Sequence, residues 1–155
     1  MGLVAASLLA WRAWSGGEEA AVRARLRSLA EQVNAPPGEG LGAITQAAAI
    51  GGFFTDDVVI DLGRGTSPIQ GRTMLIGMAA RLHQRTAAFR LVLDDIGVEL
   101  KDEDSAADVT LTASFIRRAT AAGQDSMDAR EFALEMRRDD GEWRIARMAI
   151  VEALR

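Results

Sequence analysis

The chain has no cysteine, no tyrosine and a single histidine, His83. Without cysteine there is no disulfide framework, no thiolate nucleophile and no thiolate metal site. That absence suits cytoplasm and periplasm alike. Without tyrosine no phenol is available as a proton donor, and a lone histidine without cysteine or nearby acid spacing makes no metal site. Positive charge is also short. Against 22 Asp and Glu stand 18 Lys and Arg, leaving a net charge of −4 and a pI near 5.1, which argues against a dedicated nucleic-acid binder. There is no phosphate-cradling loop either: "GRGTSPIQG" (Gly63–Gly71) has glycines but neither the Walker spacing nor its lysine. No cofactor is expected.

What is present suits one domain. The 155 residues are 48% hydrophobic and 26% charged, enough to bury a core. The N-terminus stands apart: residues 1–17 form an apolar extension, and 18–155 the domain. "GLVAASLLAWRAW" (Gly2–Trp14) is apolar but interrupted by Arg12, is too short to span a bilayer and lacks the basic start of a signal peptide. Trp11, Arg12 and Trp14 before Ser-Gly-Gly resemble an interfacial exit. This favours the trailing end of a membrane anchor that begins upstream, and with it a periplasmic or membrane-anchored setting over a cytoplasmic one. The other reading is a helix packing on the domain or on a partner subunit.

Ser15-Gly-Gly-Glu18 is a capping-box pattern that places a helix start after the glycines. Val22, Leu26, Leu29 and Val33 then form one stripe, and Asn34 with Pro36-Pro37 ends the helix. A second helix is expected from Leu41 toward Phe54 with Ile44, Ala48 and Phe53 or Phe54 inward. After it come a Thr-Asp-Asp turn and a strand at Val58–Leu62. A third helix opens at Gly71-Arg72 with Leu75, Met78 and Leu82 on one side. From Phe89 the period becomes two. Phe89, Leu91 and Leu93 are odd; Ile96, Val98 and Leu100 are even, so a bulge belongs near Asp94-Asp95. Three further strands follow, the last from Trp143 to Val151 after a turn at Asp139-Asp140-Gly141.

Consecutive hairpins would set Val98 opposite Val109, Leu111 opposite Leu134 and Phe132 opposite Met148. One face then collects Val109, Leu111, Phe115, Phe132, Leu134 and Met148, and the other Ile116, Trp143 and Ile145 among threonines and charges. This predicts α+β architecture, N-terminal helices packed on a curved antiparallel sheet. The second face is too apolar for plain surface and predicts a homodimer through Ile116, Trp143 and Ile145.

This order of elements, with "FFTDDVVIDL", "PIQGRTMLIGMAA" and "RRDDGEWRIARMAIV", resembles the nuclear transport factor 2-like (NTF2-like) superfamily, in particular its bacterial SnoaL-like members. The resemblance implies a cone-shaped, cystatin-like fold with a pocket between helices and sheet. The family includes isomerases, dehydratases, cyclases and epoxide hydrolases beside non-enzymatic binding and scaffold domains, so fold does not give function. The ketosteroid-isomerase pattern puts its basic aspartate at Leu62, with Asp61 one residue early and so on the opposite face. Asp61 reads as a solvated or capping acid. Dehydratase tyrosines and paired histidines are missing, and Asp128 with Arg130 is a weak echo of the epoxide-hydrolase arrangement. His83 on the third helix is a candidate general base or a boundary histidine. Arg130 on the apolar face must find a carboxylate among Asp128, Asp94, Asp95 and Glu152, or hold an anion at the pocket mouth.

The expected pocket therefore comprises Leu62, His83, Phe115, Arg130 and Met148. The leading expectation is a non-catalytic domain binding a small apolar ligand or a partner protein. The alternative is a SnoaL-like enzyme acting on a small hydrophobic substrate, with His83 or a bulge aspartate as base.

Overall fold

The computed structural model describes residues 2–36, 38–85, 89–117 and 126–152, with side chains from Gly17 onward and none for residues 82–85. Three helices, α1 (Gly2–Asn34), α2 (Leu41–Gly51) and α3 (Arg72–Arg85), pack against six strands. The strands are β1 (Phe54–Asp61), β2 (Ile69–Gln70), β3 (Phe89–Lys101), β4 (Ala106–Arg117), β5 (Ser126–Asp139) and β6 (Glu142–Ile150). Their order across the sheet is β2-β1-β6-β5-β4-β3. The expected antiparallel run is there as β3 to β6, but β1 joins β6 in parallel, so the sheet is mixed.

The capping box at Ser15 starts nothing, because α1 runs unbroken through Gly16-Gly17. Two helical glycines cost about 1 kcal/mol each relative to alanine; the alanine- and leucine-rich runs on either side offset that. The core stripe follows the sequence spacing: Val22, Leu26 and Leu29 are buried, with Ala30 and Val33 packed against them. At the end of α1 the Asn34 amide acts as a surrogate strand. Its Nδ2 donates to Leu91 O at 2.8 Å and its Oδ1 accepts from Leu91 N at 2.7 Å, which caps part of the free edge of β3.

The phase of α2 differs from expectation. Ile44 is 62% exposed and Ala48 is exposed, while Gln46, Ala47 and Ile50 are buried. Buried Gln46 explains the rotation. Its Nε2 donates to Gln32 O and Ala35 O and its Oε1 accepts from Gly38 N, so it holds the α1–α2 connection and turns Ile44 outward. The helix also stops earlier, at Gly51, and Phe54 already belongs to β1. The Thr-Asp-Asp segment is strand rather than turn, and Ile69–Gln70 is a short strand paired with Val59 and Ile60.

The β3 bulge lies where the parity switch places it, between Asp94 and Gly97, with Asp95 at φ 51°. Val98 does face Val109. The two other pairs are displaced by two residues: Leu111 faces Phe132, Val109 faces Leu134, Leu134 faces Met148 and Phe132 faces Ile150. A shift of two keeps each side chain on its face, so the apolar face of β4 and β5 survives.

In β6 the faces do change. Glu135 pairs with Arg147 but Met136 with Ile145, leaving Ala146 as an extra residue. This second bulge turns Trp143 and Ile145 inward, where they are 4% and 1% exposed within the core. They are therefore not residues of a dimer face. Of the expected trio only half-buried Ile116 lies on the outer face, between Arg90 and Met127. That face is not a continuous apolar surface. Across its middle run Glu99, Asp108, Glu135 and Arg147, then Asp94, Thr112 and Glu131. A cleft of about 410 Å³ there is lined by charged groups, among them Asp57, Lys101 and Arg137.

Candidate functional site at the open end of the sheet

Burial falls along several strands toward one end of the sheet's inner face. In β4, Val109, Leu111 and Ala113 are 1–2% exposed and Phe115 is 38%. In β5, Met136, Leu134 and Phe132 are buried, and then Arg130 and Asp128 are exposed. In β6, Trp143 and Ile145 are buried while Met148 and Ile150 are only half so. Val58 and Ile60 of β1 are followed by Leu62 at 40%. Pairing registers place these thinning positions together, since Ile60 lies beside Met148, Phe132 beside Ile150, and Phe115 beside Asp128.

The opposite end is closed by polar ties. Arg25 Nε donates to Trp143 O at 2.9 Å and its Nη2 to Gly52 O at 3.0 Å, with the guanidinium 4.0 Å above the Phe53 ring. Burial lowers the Arg25 pKa, with Glu142 acting against the shift and Arg144 with it. Trp143 Nε1 donates to Glu18, which also meets Arg138. Arg72 joins α3 to β1 through Phe54 O and Asp56.

Four of the five expected pocket residues, Leu62, Phe115, Arg130 and Met148, thus share the inner face at the open end. The side chain of the fifth, His83, lies outside the described residues. Arg130 sits opposite Ala113, two residues beyond the Phe132–Ile150 level. Its Nε is 3.1 Å from Asp128 Oδ1, both side chains being exposed. Glu152 is not its partner, because Glu152 meets Arg64. Asp94 pairs with Thr112 on the outer face, and Asp95 is exposed at the bulge, so neither carboxylate is placed as a base inside the cone. Asp61 caps a turn: its Oδ1 accepts from Gly63 N at 2.9 Å.

Sequence reasoning passed over Phe89, whose ring lies 6.3 Å from that of Phe115, and Ile150. It also missed an adjoining cleft of about 520 Å³ beside the β1–β2 loop, lined by Arg64, Thr66, Pro68, Ile150 and Glu152 among others. The alternation of β3 and β6 pointed to the two apolar residues. Nothing local pointed to the Arg64–Glu152 pair, which spans most of the chain. Among the described residues no group of three potential ligands is arranged to hold a metal ion.

The profile of the SnoaL-like domain matches residues 44–149. The chain belongs to the SnoaL-like domain family. Solved structures agree on the fold of this SnoaL-like domain. An NTF2-like protein with a cystatin-like fold from Novosphingobium aromaticivorans superposes with a TM-score of 0.75 at 14% identity, over 94% of this chain and 90% of the other. A protein provisionally named a scytalone dehydratase, from the same organism, gives 0.74 at 13%, over 90% and 87%. A protein from Catenulispora acidiphila in complex with S-DNPA gives 0.66 at 18%, over 87% and 94%. At such identities the likeness is one of fold. A search of curated proteins finds no match.

Proposed function

We propose that this SnoaL-like domain binds a small apolar ligand at the open end of the cone without transforming it. The observation carrying the proposal is the burial gradient, which leaves Leu62, Phe115, Met148 and Ile150 as incompletely covered apolar residues, the bowl of this proposal. Concave apolar surface with few polar groups is the usual character of a small-molecule site. Among the described residues the bowl's ionisable groups are Asp128, Arg130 and Glu152, each engaged in an ion pair, so none stands ready as a base. That the Catenulispora neighbour of the same fold was solved in complex with S-DNPA supports a ligand-binding reading.

The test is titration with the neutral dye N-phenyl-1-naphthylamine, followed by its fluorescence. Saturable binding is expected, weakened about tenfold or more, roughly 1.4 kcal/mol, by Phe115→Asp and by Leu62→Asp. Dye binding unaltered by both substitutions in folded protein would refute the site. The enzyme alternative places the base at His83; turnover of a small carbonyl or epoxide substrate that His83→Ala abolishes would replace the binding proposal.

A further inference from the structure

Outside the bowl, one recognition geometry is filled by a side chain of the protein itself. Glu152 follows β6, and Val151 N still donates to Glu131 O at 2.8 Å, so pairing with β5 carries past Ile150 and holds Glu152 at this end of the sheet. Its carboxylate is met at both oxygens. Oε1 accepts from Arg64 N at 3.1 Å, and Oε2 lies 3.4 Å from Arg64 Nε. Gly63 makes this approach possible. Its φ of +97° suits glycine, and a Cβ there would stand 3.0 Å from Glu152 Oε1 and 3.1 Å from Ile150 Cγ2. The glycine turn thus presents one N–H and one guanidinium to a single carboxylate.

That seat is exchangeable. Side-chain exposure is 94% at Arg64 and 48% at Glu152, and exposed ion pairs of this kind add little to stability. It also lies in a cleft, the one of about 520 Å³ that Thr66, Pro68 and Ile150 help to line. Ile150 belongs to the bowl as well, and Leu62 directly precedes Gly63, so the carboxylate seat and the apolar residues are contiguous. The donors set the class of ligand. One N–H and one guanidinium match the two oxygens of a carboxylate. A phosphate dianion would bring a further negative charge to a cleft that Asp61 also lines, its own Oδ1 already committed to Gly63 N. A neutral group in place of Glu152 would leave the guanidinium unanswered.

We infer that the cleft beside the β1–β2 loop is a carboxylate seat which Glu152 occupies in the free protein, and that the ligand is an apolar acid whose carboxylate displaces Glu152 from Arg64. The inference rests on the ligand-binding proposal and names the class of ligand. The probes are 2-naphthylacetate and its neutral analogue 2-naphthylethanol, followed by equilibrium dialysis. Glu152→Gln should bind the acid about threefold tighter or more than the unaltered chain does, the weight of one exposed ion pair, and should bind the alcohol unchanged. Adding Arg64→Met to Glu152→Gln should cancel that gain. Both residues are exposed, so neither change touches the core. A second measurement needs no substitution: in the unaltered chain the Arg64 backbone amide resonance should move with the acid and stay still with the alcohol. Acid affinity unaltered by Glu152→Gln overturns the inference, as does an Arg64 amide that ignores the acid. An equal gain for acid and alcohol overturns it too, because Glu152 would then be only a steric plug, and the bowl would stand. If neither probe binds any of these chains, the inference falls together with the ligand-binding proposal.

Discussion

The two ends of the sheet are made from the same residue types and differ in how they are tied across layers. Several charged side chains bridge helices and strands at one, whereas the Asn34 amide on Leu91 is the tie described near the other. At the closed end, Arg25, Glu18 and Arg72 reach from helices to strand carbonyls, an indole and an exposed acid. Beneath them Leu26, Met136 and Ile145 are fully buried. At the open end the charged pairs, Arg130 with Asp128 and Arg64 with Glu152, stay at the rim. The apolar residues between them lack a lid among the described residues. Close packing at one end goes with greater exposure of the apolar residues at the other.

The largest expected effect breaks this comparison most directly. Ile145→Ala should cost about 3 kcal/mol, since it deletes methyl groups from a closed core that relaxes little. Ile150→Ala, on the same strand and face, should cost about 1 kcal/mol because its side chain is already partly in water. Urea unfolding of both variants measures the difference. Equal losses would mean that the open end is packed as tightly as the closed one, and the bowl would cease to be a credible site.

Ile145 also shows where the sequence could and could not be read. Its inward position is written in the spacing of Trp143, Ile145, Met148 and Ile150, a parity switch of the kind that located the Asp94–Gly97 bulge. The intervening Ala146 reads as apolar on either face and hides the switch. That one ambiguity set Trp143 and Ile145 on the outer face, whereas both lie in the core. The two-residue displacement of β5 has a different cause. Parity cannot distinguish registers two apart, and Leu111, Leu134 and Phe132 make acceptable partners in either. Ile44 was misplaced because α2 is apolar nearly all round, and a tertiary group, the Gln46 amide, sets its rotation. The inner-face placement of Phe115 and Met148 was legible from strand parity, whereas partner choice for Arg130 depended on a register that parity leaves open.

A smaller effect sharpens the same contrast with charged residues. Arg25→Met would strand two backbone carbonyls at the closed end and remove the cation over Phe53, a loss of about 2 kcal/mol. Arg130→Met breaks only an exposed pair at the rim and should change stability by less than about 0.5 kcal/mol. Thermal unfolding of the two variants is the check. A large loss from Arg130→Met would make that arginine a closure of the sheet's open end rather than a rim residue.

The smallest effect separates the two faces of the sheet rather than its ends. On the outer face the Lys101 pKa is raised, chiefly by its hydrogen bond to Asp108, against the cost of desolvation and with the fields of Asp108, Glu99 and Glu135 adding to it. A lysine whose folded pKa exceeds its unfolded one contributes stability that is fully present below the unfolded value, about 10.4, and fades as pH rises through the folded value. Lys101→Met should therefore lower Tm slightly and steadily from neutral pH to about pH 10, and the gap from the unaltered protein should close above that. Comparing the two proteins at each pH cancels their common titrations. No gap at neutral pH would show that solvent screens these acids from Lys101. A gap that persists at high alkalinity would assign the loss to the packing of the lysine stem. The predicted closure would instead assign the loss to the acids around Lys101, on a face where Arg137 and Arg147 also stand among carboxylates, so that any partner seated on it would have to answer charge with charge.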